Sequence, residues 1–207
     1  MTNVYIANTE IVQNIDINMS SYRNDKLNSL KKGSDKLRCK VATYLLDVGL
    51  QKYGLNECDM IYDVNIHGKP YLKNRPDIYF NISHSGNYVA CVFSDIPVGI
   101  DIQIKDKANI NIAKRFFTEK EYDYINKSDN PENTFIRMWT LKESYLKCIG
   151  SGLSGGLSNF ELKFNENKVY VIQNGEAYSF TDVEEKEYFL SVCSPNENEK
   201  VNIEFIA

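Results

Sequence analysis

Along the chain the apolar positions switch between a two-residue and a helical period, and the switches divide it into elements. Residues 3–8 alternate as a strand, whereas Leu37, Val41, Tyr44, Leu45 and Val48 recur at helical spacing behind a cap-like Ser34, predicting a helix over 34–50. Strands are predicted over 61–66, 78–82 and 88–93. The turn-rich segment 83–87 joins the last two and puts Ser83 and His84 at a strand end, facing a cleft or solvent. Another strand covers 98–104, a helical stretch 112–117, and Thr118 with Glu121 three residues on forms a capping-box pattern that starts a new helix. A long helix then runs to about Gly150, followed mostly by strands from 160 to 205. The glycine-rich run 150–156 reads as a helix stop and turn, since no strand precedes it as a phosphate-cradling loop requires. The order strand, helix, strands occurs twice, and the Asp95-Ile-Pro97 break separates the two passes.

Composition narrows the class. The chain has 207 residues, 43% hydrophobic and 25% charged, with 14 tyrosines and 10 phenylalanines, enough for a packed core in one domain or two small lobes. A formal net charge of -4 and a pI near 5.3 argue against a general nucleic-acid binder. The five cysteines, without C-x-x-C spacing, read as free thiols. No basic leader with a long apolar run and no membrane-length segment is seen, so the expectation is a cytoplasmic protein with no membrane partner.

Two segments carry chemistry. The apolar Val98-Gly-Ile lead into Asp101 reads as a buried strand delivering an acid, and Gln103 shares its face by the two-residue period, so both oxygens point one way. An acid at the end of a buried strand is costly unless it is paired or ligates a metal. In the segment from Trp139 to Lys147, Thr140, Glu143 and Lys147 share one helical row, while Lys142 lies on the next with Met138, Tyr145 and Ile149. A few hard oxygen ligands beside lysines suit Mg²⁺ and a phosphate. The rigid Gly68-Lys69-Pro70 turn fixes a single charge. Ser83 and His84 point to opposite faces of a strand, which counts against a serine nucleophile and its base.

Taken in order, Gly68-Lys69-Pro70, Phe80-Asn-Ile-Ser83-His84-Ser85, Gly99-Ile-Asp101, Phe116-Phe117-Thr-Glu-Lys-Glu121 and Trp139-Thr-Leu-Lys142-Glu143-Ser-Tyr-Leu-Lys147 resemble the 4'-phosphopantetheinyl transferases. The likeness is to the long pseudodimeric type that activates nonribosomal peptide and polyketide synthases, and it spans about residues 23–157. It implies an α+β fold, which the repeated element order fits: two similar lobes related by a pseudo-twofold, each a small, mostly antiparallel sheet packed with helices, with the ligand cleft between them. The lobes would be 1–97 on the coenzyme A side and 98–207 carrying the metal and catalytic motifs. It also implies a Mg²⁺-dependent transfer of the 4'-phosphopantetheine arm of coenzyme A to a serine of an acyl or peptidyl carrier protein, by a monomer, releasing adenosine 3',5'-bisphosphate.

Carried over residue by residue, the resemblance makes Asp101, Gln103 and Glu143 the metal ligands. Many members have glutamate where Gln103 stands, so a neutral amide replaces a third acid. Glu143 is the first-choice base and Glu121 the second, a helix cap being the competing role for Glu121. Lys147 stabilises the departing phosphate and Lys142 steadies the pyrophosphate. Arg23, Lys26, Arg38, Lys69, Ser83, His84 and Lys147 complete the coenzyme A contacts. The stretch between Gln103 and Phe117 is expected to dock the carrier, with Ile110 exposed and Phe116 or Phe117 in the core. The competing functions are a non-catalytic coenzyme A-binding regulatory protein, which would keep Lys69, Ser83 and His84 while losing the acids, and a Mg²⁺-dependent nucleotide pyrophosphatase.

Overall fold

The structure is a computed structural model that describes residues 1–12, 15–152, 156–165 and 168–207. The chain runs β1 (Thr2–Asn8), α1 (Ser21–Ser29), α2 (Gly33–Gln51), β2 (Tyr62–Val64), β3 (Pro70–Leu72), β4 (Tyr79–Ser85), β5 (Tyr88–Ser94) and β6 (Gly99–Ile104). It continues through α3 (Asn111–Phe116), α4 (Glu119–Lys127), α5 (Pro131–Ile149), β7 (Lys163–Asn165), β8 (Lys168–Gln173), β9 (Glu176–Glu184), β10 (Tyr188–Ser194) and β11 (Val201–Ile206). The fold is α+β, as the resemblance implied. Two local expectations are corrected, and one helix is new. Helix α2 begins at Gly33 behind Lys32 with no side-chain cap, so Ser34 lies inside the first turn. The polar stretch around Arg23 forms α1, capped by the Ser20 hydroxyl, which accepts from the Arg23 amide. Strand β4 runs on to Ser85, so Ser83 lies within it. Residues 153–155 of the glycine-rich run lie outside the described residues; before them Gly150, at φ +68°, ends α5 in the left-handed region that glycine tolerates.

Two sheets carry the architecture, one ordered β11-β1-β5-β4 and the other β6-β10-β9-β8-β7; β2 and β3 form a separate hairpin. All pairings are antiparallel except that of β1 with β11, which brings the last strand into the first sheet. Alternation along the strands builds three cores. Tyr5, Ala7, Cys91 and Phe93 pack under α2, and Phe189 and Cys193 pack under α5. Between them Val4, Ile6, Ala90 and Val92 of the first sheet meet Ile100, Ile102, Leu190 and Val192 of the second. The layers are therefore helix, sheet, sheet, helix, and single strands read apolar on both faces because both are covered.

At one margin of this stack β4 and β6 are both edge strands, and side chains join them. Asn81 Oδ1 accepts from the Ile100 amide at 3.0 Å, Ser83 Oγ from Ile102 at 3.3 Å and Ser85 Oγ from Ile104 at 3.1 Å. Three polar residues at a two-residue period thus supply the acceptors that a neighbouring strand would otherwise provide. Asn81→Ala leaves the buried Ile100 N–H without an acceptor and is expected to cost about 1–3 kcal/mol, read as a lower urea midpoint with an unchanged slope. An unaltered midpoint would show that Asn81 does not bear on the junction.

Candidate active site

Strand β6 turns Gly99, Asp101 and Gln103 toward α5. The approach is so close that a Cβ on Gly99 would lie 2.1 Å from the Ser144 carbonyl and 2.3 Å from the Cys148 amide nitrogen. Only glycine lets the strand lie against the helix here, and that contact sets Asp101 beside Lys147. Asp101 is 1% exposed. Its Oδ1 accepts from Ser83 Oγ at 2.6 Å and from Lys147 Nζ at 2.5 Å, and its Oδ2 accepts from Gln103 Nε2 at 2.9 Å. Lys147 Nζ also donates to Ser83 Oγ at 2.9 Å. Ser83 is therefore committed to positioning Asp101, and His84, on the opposite face of β4, cannot act on it as a base.

Glu143 lies on α5 one turn before Lys147, half-buried, and its carboxylate makes no hydrogen bond among the described residues. Burial pushes its pKa up first, the Asp101 charge adds to this, and Lys147 partly offsets it. His84 is exposed and held below the usual imidazole range by partial loss of solvent, then by the charges of Arg38 and Lys147. Arg38, from α2, donates to the Gly86 carbonyl at 3.1 Å and pairs with Asp35, while its buried Nε has no partner among the described residues. Arg38, His84 and Lys147 thus lay a track of donors past two carboxylates. That arrangement sets three basic groups near one another and close to two carboxylates. Among the described residues no three His, Cys, Asp or Glu side chains form a metal cluster, so the protein's hard donors here are the carboxylates of Asp101 and Glu143, with Glu143 lacking any other partner.

Several expected contacts are corrected by the geometry. Gln103 does not offer its oxygen as a ligand: the amide donates to Asp101 and its Oε1 accepts from Ser85 Oγ at 3.3 Å, so it braces the acid. Lys142 is fully buried, ion-paired with Glu121 at 2.7 Å and donating to the Leu157 and Phe160 carbonyls at 2.7 and 2.8 Å. It cannot reach a pyrophosphate. Burial pulls its pKa down, and Glu121 counters this. Glu121 is 3% exposed and fully engaged: it closes the capping box with Thr118, pairs with Lys142 and accepts from the Leu162 amide at 2.9 Å. Of its two expected roles, these contacts are those of the helix cap. Arg23 points inward, donating from Nε to Thr43 Oγ1 and from Nη2 to the Cys39 carbonyl, both at 3.0 Å. Lys26 is exposed at the end of α1. Lys69 donates to the Val98 and Cys148 carbonyls at 3.0 and 3.2 Å, so its ammonium fastens backbone. The residues missed by the sequence reading are Asn81 and Ser85, whose two-residue spacing around Ser83 was legible, and Asn65, which carried no signal.

Two cavities open toward opposite ends of β6 and α5, and neither is lined by Asp101 or Glu143. One of about 730 Å³ opens beside Lys69, Tyr71, Tyr79 and Tyr178 and contains neither acid. The other, about 340 Å³, is lined by Ser85, Gln103, Ile112, Phe135, Ile136 and Trp139 and adjoins the acids through Gln103. At its rim Ile112 and Phe116, four residues apart on α3, are 38% and 36% exposed, whereas Phe117 is buried and Ile110 packs against the core. The exposed apolar pair is thus Ile112 and Phe116, and Ile110 is not the exposed residue.

Comparison with known proteins places these residues in a family. Residues 97–193, which hold β6 to β10 and both acids, match the 4'-phosphopantetheinyl transferase superfamily. The chain is 35% identical over 150 residues to 4'-phosphopantetheinyl transferase Sfp of Bacillus subtilis (strain 168), covering 70% of this chain and 67% of that one. It is 33% identical over 183 residues to another 4'-phosphopantetheinyl transferase of Bacillus subtilis, covering 85% of this chain and 82% of its relative. The 4'-phosphopantetheinyl transferase gsp of Aneurinibacillus migulanus is 36% identical over 141 residues, 66% of this chain and 59% of its own length. Likeness of this extent, running through both sheets and the strand and helix that bear Asp101, Glu143 and Lys147, makes the chain a transferase enzyme of the 4'-phosphopantetheinyl transferase family.

Proposed function

We propose that this enzyme moves the 4'-phosphopantetheine arm of coenzyme A onto a serine hydroxyl of an acyl or peptidyl carrier protein of a nonribosomal peptide, polyketide or fatty acid synthase. Adenosine 3',5'-bisphosphate leaves, and the reaction requires Mg²⁺. The observation that carries this reading is the cluster in which Ser83 and Lys147 hold one oxygen of Asp101 while Glu143, electrostatically coupled to both Asp101 and Lys147, has no hydrogen bond among the described residues. The cleft belongs to two similar lobes related by a pseudo-twofold, residues 1–97 and 98–207, with β11 lent back to the first sheet. The protein works as a cytoplasmic monomer, without nucleic acid or membrane. No helix among the described residues is long and apolar enough to cross a membrane.

Asp101 and Glu143 would hold Mg²⁺, which when bound neutralises charge on the pyrophosphate. The protein's own groups do the rest. Arg38, His84 and Lys147 receive phosphate oxygens in a site whose donors are already placed. Glu143, its pKa raised, takes the proton of the carrier serine as the new phosphorus–oxygen ester bond forms and the pyrophosphate bond breaks. Lys147 turns from Asp101 to the departing phosphate. The arm lies in the cavity lined by Gln103 and Trp139, which leads to the exposed Ile112 and Phe116 where an apolar helix face of the carrier docks.

Incubation with coenzyme A, Mg²⁺ and an apo-carrier should add roughly 340 Da to the carrier, the mass of the arm. Asp101→Ala should lower the rate by about 100-fold or more while the protein stays folded. No added mass from the wild type, or near-normal rates from the variant, would sink the reading. Glu143→Gln should abolish transfer yet stabilise the ligand-free protein. Because the folded-state pKa is raised, wild-type stability falls as pH rises through that value, so the thermal advantage of the variant should grow from acid to neutral pH. An advantage that shrinks with pH would reverse the assigned shift. Ile112→Asp should raise the Michaelis constant for the carrier several-fold with coenzyme A affinity by calorimetry unchanged; equal loss of both would place the docking surface elsewhere.

A further inference from the structure

The hairpin of β2 and β3 ends in a loop that touches the helix bearing the reactive groups. Asn65 Oδ1 accepts from the amides of His67 and Lys69, both at 2.9 Å, which fixes the loop as its own turn. The other end of the same amide, Nδ2, donates to the Gly150 carbonyl at 2.8 Å. Lys69 Nζ donates to the Cys148 carbonyl and to the Val98 carbonyl just before β6. Two of the carbonyls that the C-terminal end of α5 leaves without helical partners are thus satisfied by a hairpin more than seventy residues earlier in the chain. An ammonium there also meets the negative end of the helix dipole. No carboxylate pairs with Lys69 among the described residues, and burial lowers its pKa. Packing leaves little slack, since a Cβ on Gly150 would come within 2.9 Å of Asn65 Nδ2 and 3.3 Å of Lys69 Cδ.

From this we infer that Lys69 and Asn65 are positioning residues that clamp the last turn of α5 to the start of β6. They thereby hold the adjacent Lys147, and Glu143 one turn back, against Asp101, and Lys69 does not act as a phosphate contact. Lys147 precedes Cys148 directly, so freeing the Cys148 carbonyl lets the final turn fray at the residue that must meet the departing phosphate.

The inference rests on the transferase reading for its kinetic arm only. Lys69→Met and Asn65→Ala are made in the full chain, and amide hydrogen exchange over residues 141–150 is followed without ligand. Affinity for adenosine 3',5'-bisphosphate is measured by calorimetry and arm transfer at saturating substrates. Loss of the clamp should speed exchange in the last turn about tenfold in both variants and lower turnover about 10- to 100-fold, the scale of a small misplacement at a reacting centre, with nucleotide affinity within about twofold of wild type. Unchanged exchange with nucleotide affinity weakened tenfold would make Lys69 a ligand contact and overturn the proposal, as would unchanged exchange with unchanged affinity. Should Lys69→Met fail to fold, Asn65→Ala decides the point by the same readouts. If the wild type transfers no arm, the functional reading fails while the exchange result still decides the clamp.

Discussion

Everything at the site depends on how two sheet edges meet. An edge strand presents unpaired amides, and inside a protein each needs an acceptor. Here β4 answers β6 with the side chains of Asn81, Ser83 and Ser85 instead of its own carbonyls. Because the link is a row of hydroxyl and amide groups, its members can bond in two directions. Ser83 takes the Ile102 amide on one side and gives its proton to Asp101 on the other; Ser85 does the same between Ile104 and Gln103. The junction that fixes the two sheets is also the junction that orients the acid. A continuous backbone ladder would have bonded the strands without leaving any group to hold a carboxylate.

Helix α5 carries two lysine–carboxylate pairs that look alike in sequence and differ in consequence. Lys142 and Glu121 are sealed, with side chains 0% and 3% exposed, and every remaining proton or lone pair is directed at backbone. Such a pair specifies how α4, α5 and the segment after it lie together, and its energy is low only while both members stay in place. Lys147 and Asp101 differ because the lysine is 27% exposed against 2% for the acid. Solvent reaches the cation, so the pair is open on the lysine side, while the buried acid still requires a cation beside it. Burial thus separates a sealed pair from one that solvent reaches on the same helix.

That distinction explains what the sequence could and could not convey. Strand β6, the capping box at Thr118 and the stop at Gly150 were legible because periodicity, cap chemistry and a left-handed turn are local properties. The pairing of Asp101 with Gln103 on one face followed from the two-residue period. Lys142 was misread because its helical row said only that it faced inward, not whether inward meant cleft or core. Its partner lies 21 positions earlier, on another helix. Arg23 failed likewise: in a polar stretch nothing announces that the guanidinium will reach across to Thr43 and Cys39. For Gln103 the residue type was legible but the orientation of its amide was set by Ser85, across the junction.

The parallel pairing of β11 with β1 has a consequence for how the molecule is made. Strand β1 must wait for a partner made long after it, since Thr2 lies opposite Val201 and Ala7 opposite Ile206. Residues 99–194, by contrast, contain the whole of the second sheet and the helix packed on it. On a ribosome that sheet can close while the first still shows a bare edge, and the long loop to be closed makes its completion slow. Closure of the first sheet thus comes last, and until then β1 is paired on one side alone, with β5 of the β4–β5 hairpin.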